Sequence, residues 1–178
     1  MDDIKIYLGW KEGWNELILS ELQHARAIRS RIIECFERAS SHFISEAERK
    51  RLLTFVVVGG GPTSIEFTSE LSDFINEDVI KYYGDLRLNY EIVVVEAAKH
   101  LLGTFDTKLS SYVEKQMFKR RVTVLSGEAV KQVKEVSVVL GSGREIPFGL
   151  CVWSTGKCEA RQSFLSTTVN KTFLTWLT

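Results

Sequence analysis

Beyond Glu21 the apolar residues fall at helical spacing. Leu22, Ala25, Ile28, Ile32, Cys35, Phe36 and Ala39 recur every three or four positions and predict one amphipathic helix. Ser40 and Ser41 end it. The stretch SEAERK then predicts a short second helix, with Ser45 as N-cap and Glu48 three residues on to complete a capping box. At Thr54–Val58 the rhythm changes to an unbroken, β-branched apolar run that stops at glycine, the pattern of a parallel strand buried on both faces. Pro62 stands where a helix can begin, and Ile65, Phe67, Leu71, Phe74 and Ile75 give that helix a buried face. Glu91–Glu96 predicts a second buried strand, residues 107–120 a helix, and residues 122–125 a third strand. Further on, Val136, Val138 and Leu140 alternate, Gly141-Ser142-Gly143 turns, and Ile146 and Phe148 alternate back, which predicts an antiparallel hairpin. Residues 150–154 form one more buried strand. Residues 1–19 and the tail after Gly156 show no period and are left unassigned.

The centre of the chain therefore reads β-α-β-α-β, which requires crossover connections and a parallel sheet. The fold class is α/β: a Rossmann-like parallel sheet with an antiparallel hairpin inserted before the last strand. Three regions are expected. Residues 1–50 are a helical N-terminal flank, residues 51–149 a nucleotide-binding domain, and residues 150–178 a return strand with a divergent tail.

Composition changes this picture little. Of 178 residues, 44% are apolar and 26% charged, as in an ordinary globular protein. Lys+Arg and Asp+Glu are equal at 23 each, so the chain lacks the basic excess of a general nucleic-acid binder. The local cluster Arg49, Lys50 and Arg51 reads as a solvated helix end. The cysteines Cys35, Cys151 and Cys158 make no C-x-x-C pair, which fits a reducing compartment without a disulfide framework. Cys35 falls on the apolar helix face and reads as core. His24, His42 and His100 are scattered, so no metal site is expected. No apolar run approaches the ~20 residues of a membrane span, and the N-terminus matches no targeting pattern.

The chemistry is concentrated in FVVVGGGPTSIEF, residues 55–67. This is nearly G-x-G-x-x-G, with Ser64 at the third glycine position, and it lies between a strand and an amphipathic helix as a dinucleotide cradle should. Gly59 allows the sharp turn out of the strand, and Gly61 lets a pyrophosphate approach the backbone. The helix start at Pro62, Thr63 and Ser64 supplies free N–H groups and a positive dipole end. Serine is small, so Ser64 is expected to loosen the helix–strand fit rather than prevent it. Glu96 closes the next strand, where a carboxylate accepts hydrogen bonds from ribose hydroxyls and repels the extra phosphate of NADP. It comes later than the ~20 residues of the simple motif. The excess is taken up by a longer helix and loop, SDFINEDVIKYYGDLRLN. Glu66 has two readings that sequence leaves open: a first-turn carboxylate stabilised by the helix dipole, or a contact to bound ligand.

Several blocks, in order, resemble the central part of type II (alternative) NADH dehydrogenases: FVVVGGGPTSIEFTSELSDFINEDV, IVVVEA, LLGTFDTKLSSYVEKQM, REIPFG and VWSTG. HARAIRSRIIECFERAS is similar to the helix that precedes their NADH domain. The resemblance covers roughly residues 21–156. It implies an FAD enzyme that passes electrons from NADH to quinone without pumping protons, peripheral to the mitochondrial inner membrane and often homodimeric. It also implies that Gly59, Gly60, Gly61, Pro62, Thr63 and Ser64 hold the NADH pyrophosphate, with Glu96 and Ala97 at the adenosine. Glu66 would then lie near nicotinamide and flavin as a proton carrier, and Thr155 and Gly156 where the chain passes back beside both cofactors. The family's FAD pyrophosphate loop and C-terminal membrane segment have no counterpart in these residues. The chain is therefore expected to be an incomplete copy, inactive by itself. Two alternatives remain at this stage: an NADH-binding module without catalysis, and a fragment of a disulfide-reductase-like flavoprotein, which would want a redox-active cysteine pair.

Overall fold

The computed structural model describes residues 5–8, 17–18 and 22–155. Two short strands, β1 (Lys5–Leu8) and β2 (Leu17–Ile18), lie in the stretch whose sequence shows no period. Helix α1 (Leu22–Ala39) and helix α2 (Glu46–Leu52) follow. Strand β3 (Thr54–Val58) leads into α3 (Pro62–Phe74), which continues through a π-helical turn (Ile75–Val79) into the short α4 (Ile80–Tyr82). After a 3₁₀ turn at Gly84–Leu86 come β4 (Glu91–Glu96), α5 (Thr107–Lys119) and β5 (Val122–Ser126). Then β6 (Val130–Val133), β7 (Ser137–Leu140) and β8 (Glu145–Pro147) precede the last strand, β9 (Leu150–Trp153).

The main sheet has the order β2-β1-β9-β3-β4-β5. Strands β9, β3, β4 and β5 run parallel to their neighbours, and β1 joins the β9 edge antiparallel. The sequence reading of an α/β parallel sheet holds. Strands β3 and β4 are continuously apolar along their middles because both faces are covered. Phe55, Val57, Ile92 and Val94 point to the helices and meet Ile28, Ile32, Phe36 and Leu71. Their neighbours Val56, Val58, Val93 and Val95 point the other way and meet Val138, Leu140, Ile146 and Phe148.

The second cover is more than a hairpin. Strand β6 pairs antiparallel with β7, making a three-stranded sheet β6-β7-β8 with a register shift between Val130 and Gln132. Only Val130 and Val133 of β6 are partly buried, so its alternation is too short to stand out in sequence.

Ser45 caps α2 as expected, its hydroxyl accepting from the Glu48 N–H at 3.2 Å. The reciprocal half of the capping box does not form. The Glu48 carboxylate turns to Arg51, at 2.7 Å to both Nε and Nη2, and to Arg38 at 3.3 Å. The Arg51 hydrogen bond holds the Glu48 carboxyl below its ordinary range. Nor is the basic cluster simply solvated: Arg51 also donates to the Phe148 carbonyl at 2.8 Å, and Arg49 to the Ala39 carbonyl at 3.0 Å. These arginines fasten α2 to the chain that enters β9 and to the end of α1.

Candidate functional site

At the C-terminal ends of β3, β4 and β9 lies a cleft of about 400 Å³. In open α/β sheets this is where ligands bind, beside the point at which successive connections change direction. Here β4 and β5 extend from one side of β3, and β9 returns on the other. Gly59, Gly60, Gly61, Glu96, Ala97 and Thr155 all line the cleft, so these candidate residues come together. Pro62, Thr63, Ser64 and Glu66 follow in the first turn and a half of α3. Gly156 and Cys158 lie outside the described residues.

Each glycine has its own reason. Gly59 has a φ of +119°, which side-chain-bearing residues rarely adopt, and a Cβ there would come within 2.6 Å of the Ser154 carbonyl oxygen. Gly60 is crowded by side chains: its Cβ would meet Glu96 Oε2 at 2.7 Å and Leu101 Cδ2 at 2.8 Å. Around Gly61 the space is open, with nothing within 4 Å of a Cβ. Gly61 is the N-cap of α3 in an extended conformation, φ −77° and ψ 175°.

Glu96 is already engaged with the loop. One carboxylate oxygen accepts from the Gly60 N–H, and the other from the Ala98 N–H at 2.7 Å. The Gly59 N–H is bonded to the Val95 carbonyl at 2.8 Å, and Pro62 has no N–H. The first intrahelical bond of α3 runs from Ile65 N–H to Gly61 O at 3.1 Å, so the Thr63 and Ser64 amides stand before it. Ser64 is buried, so the donors left open at this helix start are the N–H groups of Gly61 and Thr63, on the unobstructed approach at Gly61. A pyrophosphate fits that arrangement: open approach, unsatisfied amides and the positive end of a helix dipole.

Ser64 is fully buried. Its hydroxyl donates to the Ser154 carbonyl at 3.3 Å and sits 3.0 Å from where a Cβ on Gly59 would be. Instead of loosening the helix–strand contact, the hydroxyl joins α3 to the end of β9. Thr68 and Ser72 continue this buried face of small polar residues, one turn apart. Thr68 donates back to the Ser64 carbonyl at 2.7 Å, which satisfies its hydroxyl without another element. Glu66 is exposed on the opposite side of the helix.

Sequence reasoning missed part of the cleft wall: Glu128, Ala129 and Val130 from the β5–β6 connection, and Trp153 and Ser154 from the end of β9. The register of the parallel strands could have signalled the last two, because Val58 pairs with Trp153. Nothing local marks the first three. The connection is brought in by backbone bonds from Glu128 to Glu96 O at 3.0 Å and from Gly127 to Ala98 O at 2.8 Å.

The two described cysteines take no part. Cys35 and Cys151 are free and fully buried. Burial pushes the Cys35 thiol up to about 11 and that of Cys151 higher still. Neither supplies a thiolate near neutral pH. Among the described residues there is no group of three metal-ligating side chains, and no helix is long and apolar enough to cross a membrane.

A family model for pyridine nucleotide-disulphide oxidoreductases matches residues 13–171. A probable NADH dehydrogenase of Dictyostelium discoideum is 49% identical over 146 residues, covering 80% of this chain and 32% of that protein. The mitochondrial external alternative NAD(P)H-ubiquinone oxidoreductase B3 of Arabidopsis thaliana is 44% identical, covering 78% of this chain and 24% of the relative. The structure of NDH2 from Plasmodium falciparum in complex with NADH superposes with a TM-score of 0.73 at 30% identity, covering 77% of this chain and 29% of that one. The chain thus spans 24% to 32% of the length of these relatives. It belongs to the pyridine nucleotide-disulphide oxidoreductase family.

Proposed function

We propose that this chain supplies the NADH-binding part, residues 51–149, of a flavin-dependent NADH:quinone oxidoreductase, with residues 1–50 as a remnant of its FAD-binding domain and residues 150–178 as a return strand and divergent tail. The observation that carries the reading is Glu96, whose carboxylate is tied to the glycine loop inside the cleft. From there it can accept from both adenosine ribose hydroxyls and oppose a 2′-phosphate. Relatives named as NADH dehydrogenase and NAD(P)H-ubiquinone oxidoreductases support the same electron donor and acceptor. Several are named as mitochondrial, which supports a site at the mitochondrial inner membrane.

In this reading the amides of Gly61 and Thr63 bind the pyrophosphate and Gly61 leaves it room, while Ser64 anchors the helix start beneath it and Gly59, Gly60 and Pro62 shape the turn. Glu96 and Ala97 border the adenosine. Thr155 leads the chain beside the reacting rings, and Glu66 carries protons, for which its exposure is a requirement. Bound FAD would accept the hydride and pass electrons on singly or in pairs, while the protein fixes the geometry. The buried, unpaired thiols favour this over a disulfide-reductase reading.

NADH is expected to bind more tightly than NADPH, and Glu96→Gln is expected to narrow the gap by about tenfold. Structure adds a condition. Glu96 accepts two backbone N–H bonds through two oxygens, whereas glutamine has one acceptor, so affinity for NADH itself should also fall modestly. Titration of both nucleotides against wild type and variant reads both effects. Equal wild-type affinities for NADH and NADPH would take Glu96 out of the ribose role.

A second expectation concerns turnover. Residues 1–178 contain one glycine-rich dinucleotide loop, and hydride transfer between two dinucleotides requires each to be held in place. Expressed alone, these residues should bind NADH, copurify with little flavin and show no NADH oxidation with a soluble quinone and added FAD. Stoichiometric flavin with robust turnover would show that these residues suffice, and the NADH-binding-part reading would be wrong.

A further inference from the structure

The glycine loop is gripped by a segment outside the dinucleotide motif. The Gly60 N–H is held by Glu96, and the Gly60 carbonyl accepts from the Leu102 N–H at 2.8 Å. The open side of Gly60 is closed by Leu101, whose Cδ2 would stand 2.8 Å from a Cβ there. Leu101 is fully buried. Leu102 has a φ of 52°, in the left-handed region that leucine seldom occupies. Such a conformation persists only where its surroundings enforce it, and it is found preferentially at ligand clamps.

The surroundings here do enforce it. The Leu102 carbonyl accepts from the Phe105 N–H at 2.8 Å, closing a turn just before α5. Glu114 of α5 accepts from the Leu101 N–H at 3.4 Å and lies 3.5 Å from His100 Nδ1. The Ala98 carbonyl accepts from Gly127 at 2.8 Å, at the opposite end of the segment. Residues 98–105 are thus fastened to α5 and to the β5–β6 connection, and from there they reach back to Gly60.

We propose that Leu101 and Leu102 are positioning residues for the nucleotide, locking the Gly60 peptide so that Gly61 and the start of α3 present a fixed set of amides to the pyrophosphate. Neither residue needs to touch the ligand. A free Gly60 peptide could rotate, and each rotation would re-aim the amides that follow; holding it beforehand removes that ordering cost from binding. The inference rests on the dinucleotide-cradle reading above. It differs from the role of Glu96 in one observable way: a lock on the pyrophosphate end cannot distinguish NADH from NADPH.

The test uses residues 1–178 carrying Leu101→Ala, with Leu101→Met as the conservative variant that refills the space. NADH and NADPH titrations are combined with thermal melting and amide exchange at residues 60–64. Leu101→Ala should weaken both nucleotides by the same factor, about tenfold. It should speed amide exchange in the loop, and Leu101→Met should restore both. A side chain that merely fills the core would lower the melting temperature but leave the affinity of folded protein, and its loop exchange, unchanged. That result overturns the positioning role and leaves the cradle standing. Wild-type protein that binds no NADH overturns both. Should Leu101→Ala fail to fold, Leu101→Val, which is one carbon shorter and lacks the Cδ2 that faces Gly60, decides in the same way.

Discussion

Gly61→Val is expected to weaken NADH binding by about a hundredfold or more, equivalent to nearly 3 kcal/mol, while the protein stays folded. The two halves of this expectation come from one observation: a Cβ at Gly61 meets nothing within 4 Å. In the empty protein a branched side chain has room. The backbone there, at φ −77° and ψ 175°, suits valine and is also the conformation favoured before proline. What valine loses is N-cap preference, about 1 kcal/mol, which for a chain of this size lowers the melting temperature by only a few degrees. In the proposed bound state the same space is the approach of the pyrophosphate to the helix start, and two methyl groups would fill it. Isothermal titration and a thermal melt on the same sample separate the effects. Unchanged NADH affinity would show that the ligand does not pass over Gly61, and the cradle assignment would be lost.

The contrast among the three glycines shows what a sequence can and cannot disclose. The motif marks Gly59 and Gly61 and is silent on Gly60. Their separate constraints come from residues far along the chain: Ser154 against Gly59, Glu96 and Leu101 against Gly60. Strands β3, β4, β5 and β9 were legible because each is apolar on both faces, and each ends at or near a polar residue or glycine. Helix α3 was legible from its apolar face, but the buried Ser64, Thr68 and Ser72 were not, since small hydroxyl residues carry no hydrophobic signal. The π-helical turn at Ile75–Val79 also leaves no local mark, because it adds one residue to a turn without interrupting the apolar pattern. Strands β1 and β2 are short members of the sheet edge, and β6 is a mostly exposed edge strand with an irregular register. Pairing with a neighbour, rather than their own pattern, makes them strands. Leu102 is the extreme case. A leucine in the left-handed region announces nothing in sequence, and only the bonds around Gly60 account for it.

Long-range constraint of the same kind produces a large stability effect at one more glycine. Gly149 stands where the chain leaves the three-stranded cover and enters β9. A Cβ there would lie 2.2 Å from the Leu52 carbonyl oxygen and 2.9 Å from the Cys35 sulfur. The carbonyl is backbone at the end of α2 and cannot swing aside as a side chain would. Gly149 is also fixed on both sides of its own peptide. Its N–H donates to the Thr54 carbonyl at 2.9 Å, and its carbonyl accepts from the buried Arg31 Nε at 3.0 Å. One residue earlier, the Phe148 carbonyl accepts from Arg51 at 2.8 Å. The junction therefore has no direction in which to relax without breaking a partly buried charged hydrogen bond or the start of the β3–β9 ladder. Gly149→Ala should cost about 3 kcal/mol, lowering the melting temperature by roughly 10 °C. The site lies at the N-terminal end of β9, and the cleft at its C-terminal end, so the fraction that remains folded should bind NADH with nearly wild-type affinity. Melting curves and NADH titration below the transition check the two statements together. A melting temperature unchanged by Gly149→Ala would mean that α2 and β9 can separate freely at this junction, and that the bonds from Arg31 of α1 and Arg51 of α2 do not hold the entry to β9 in place.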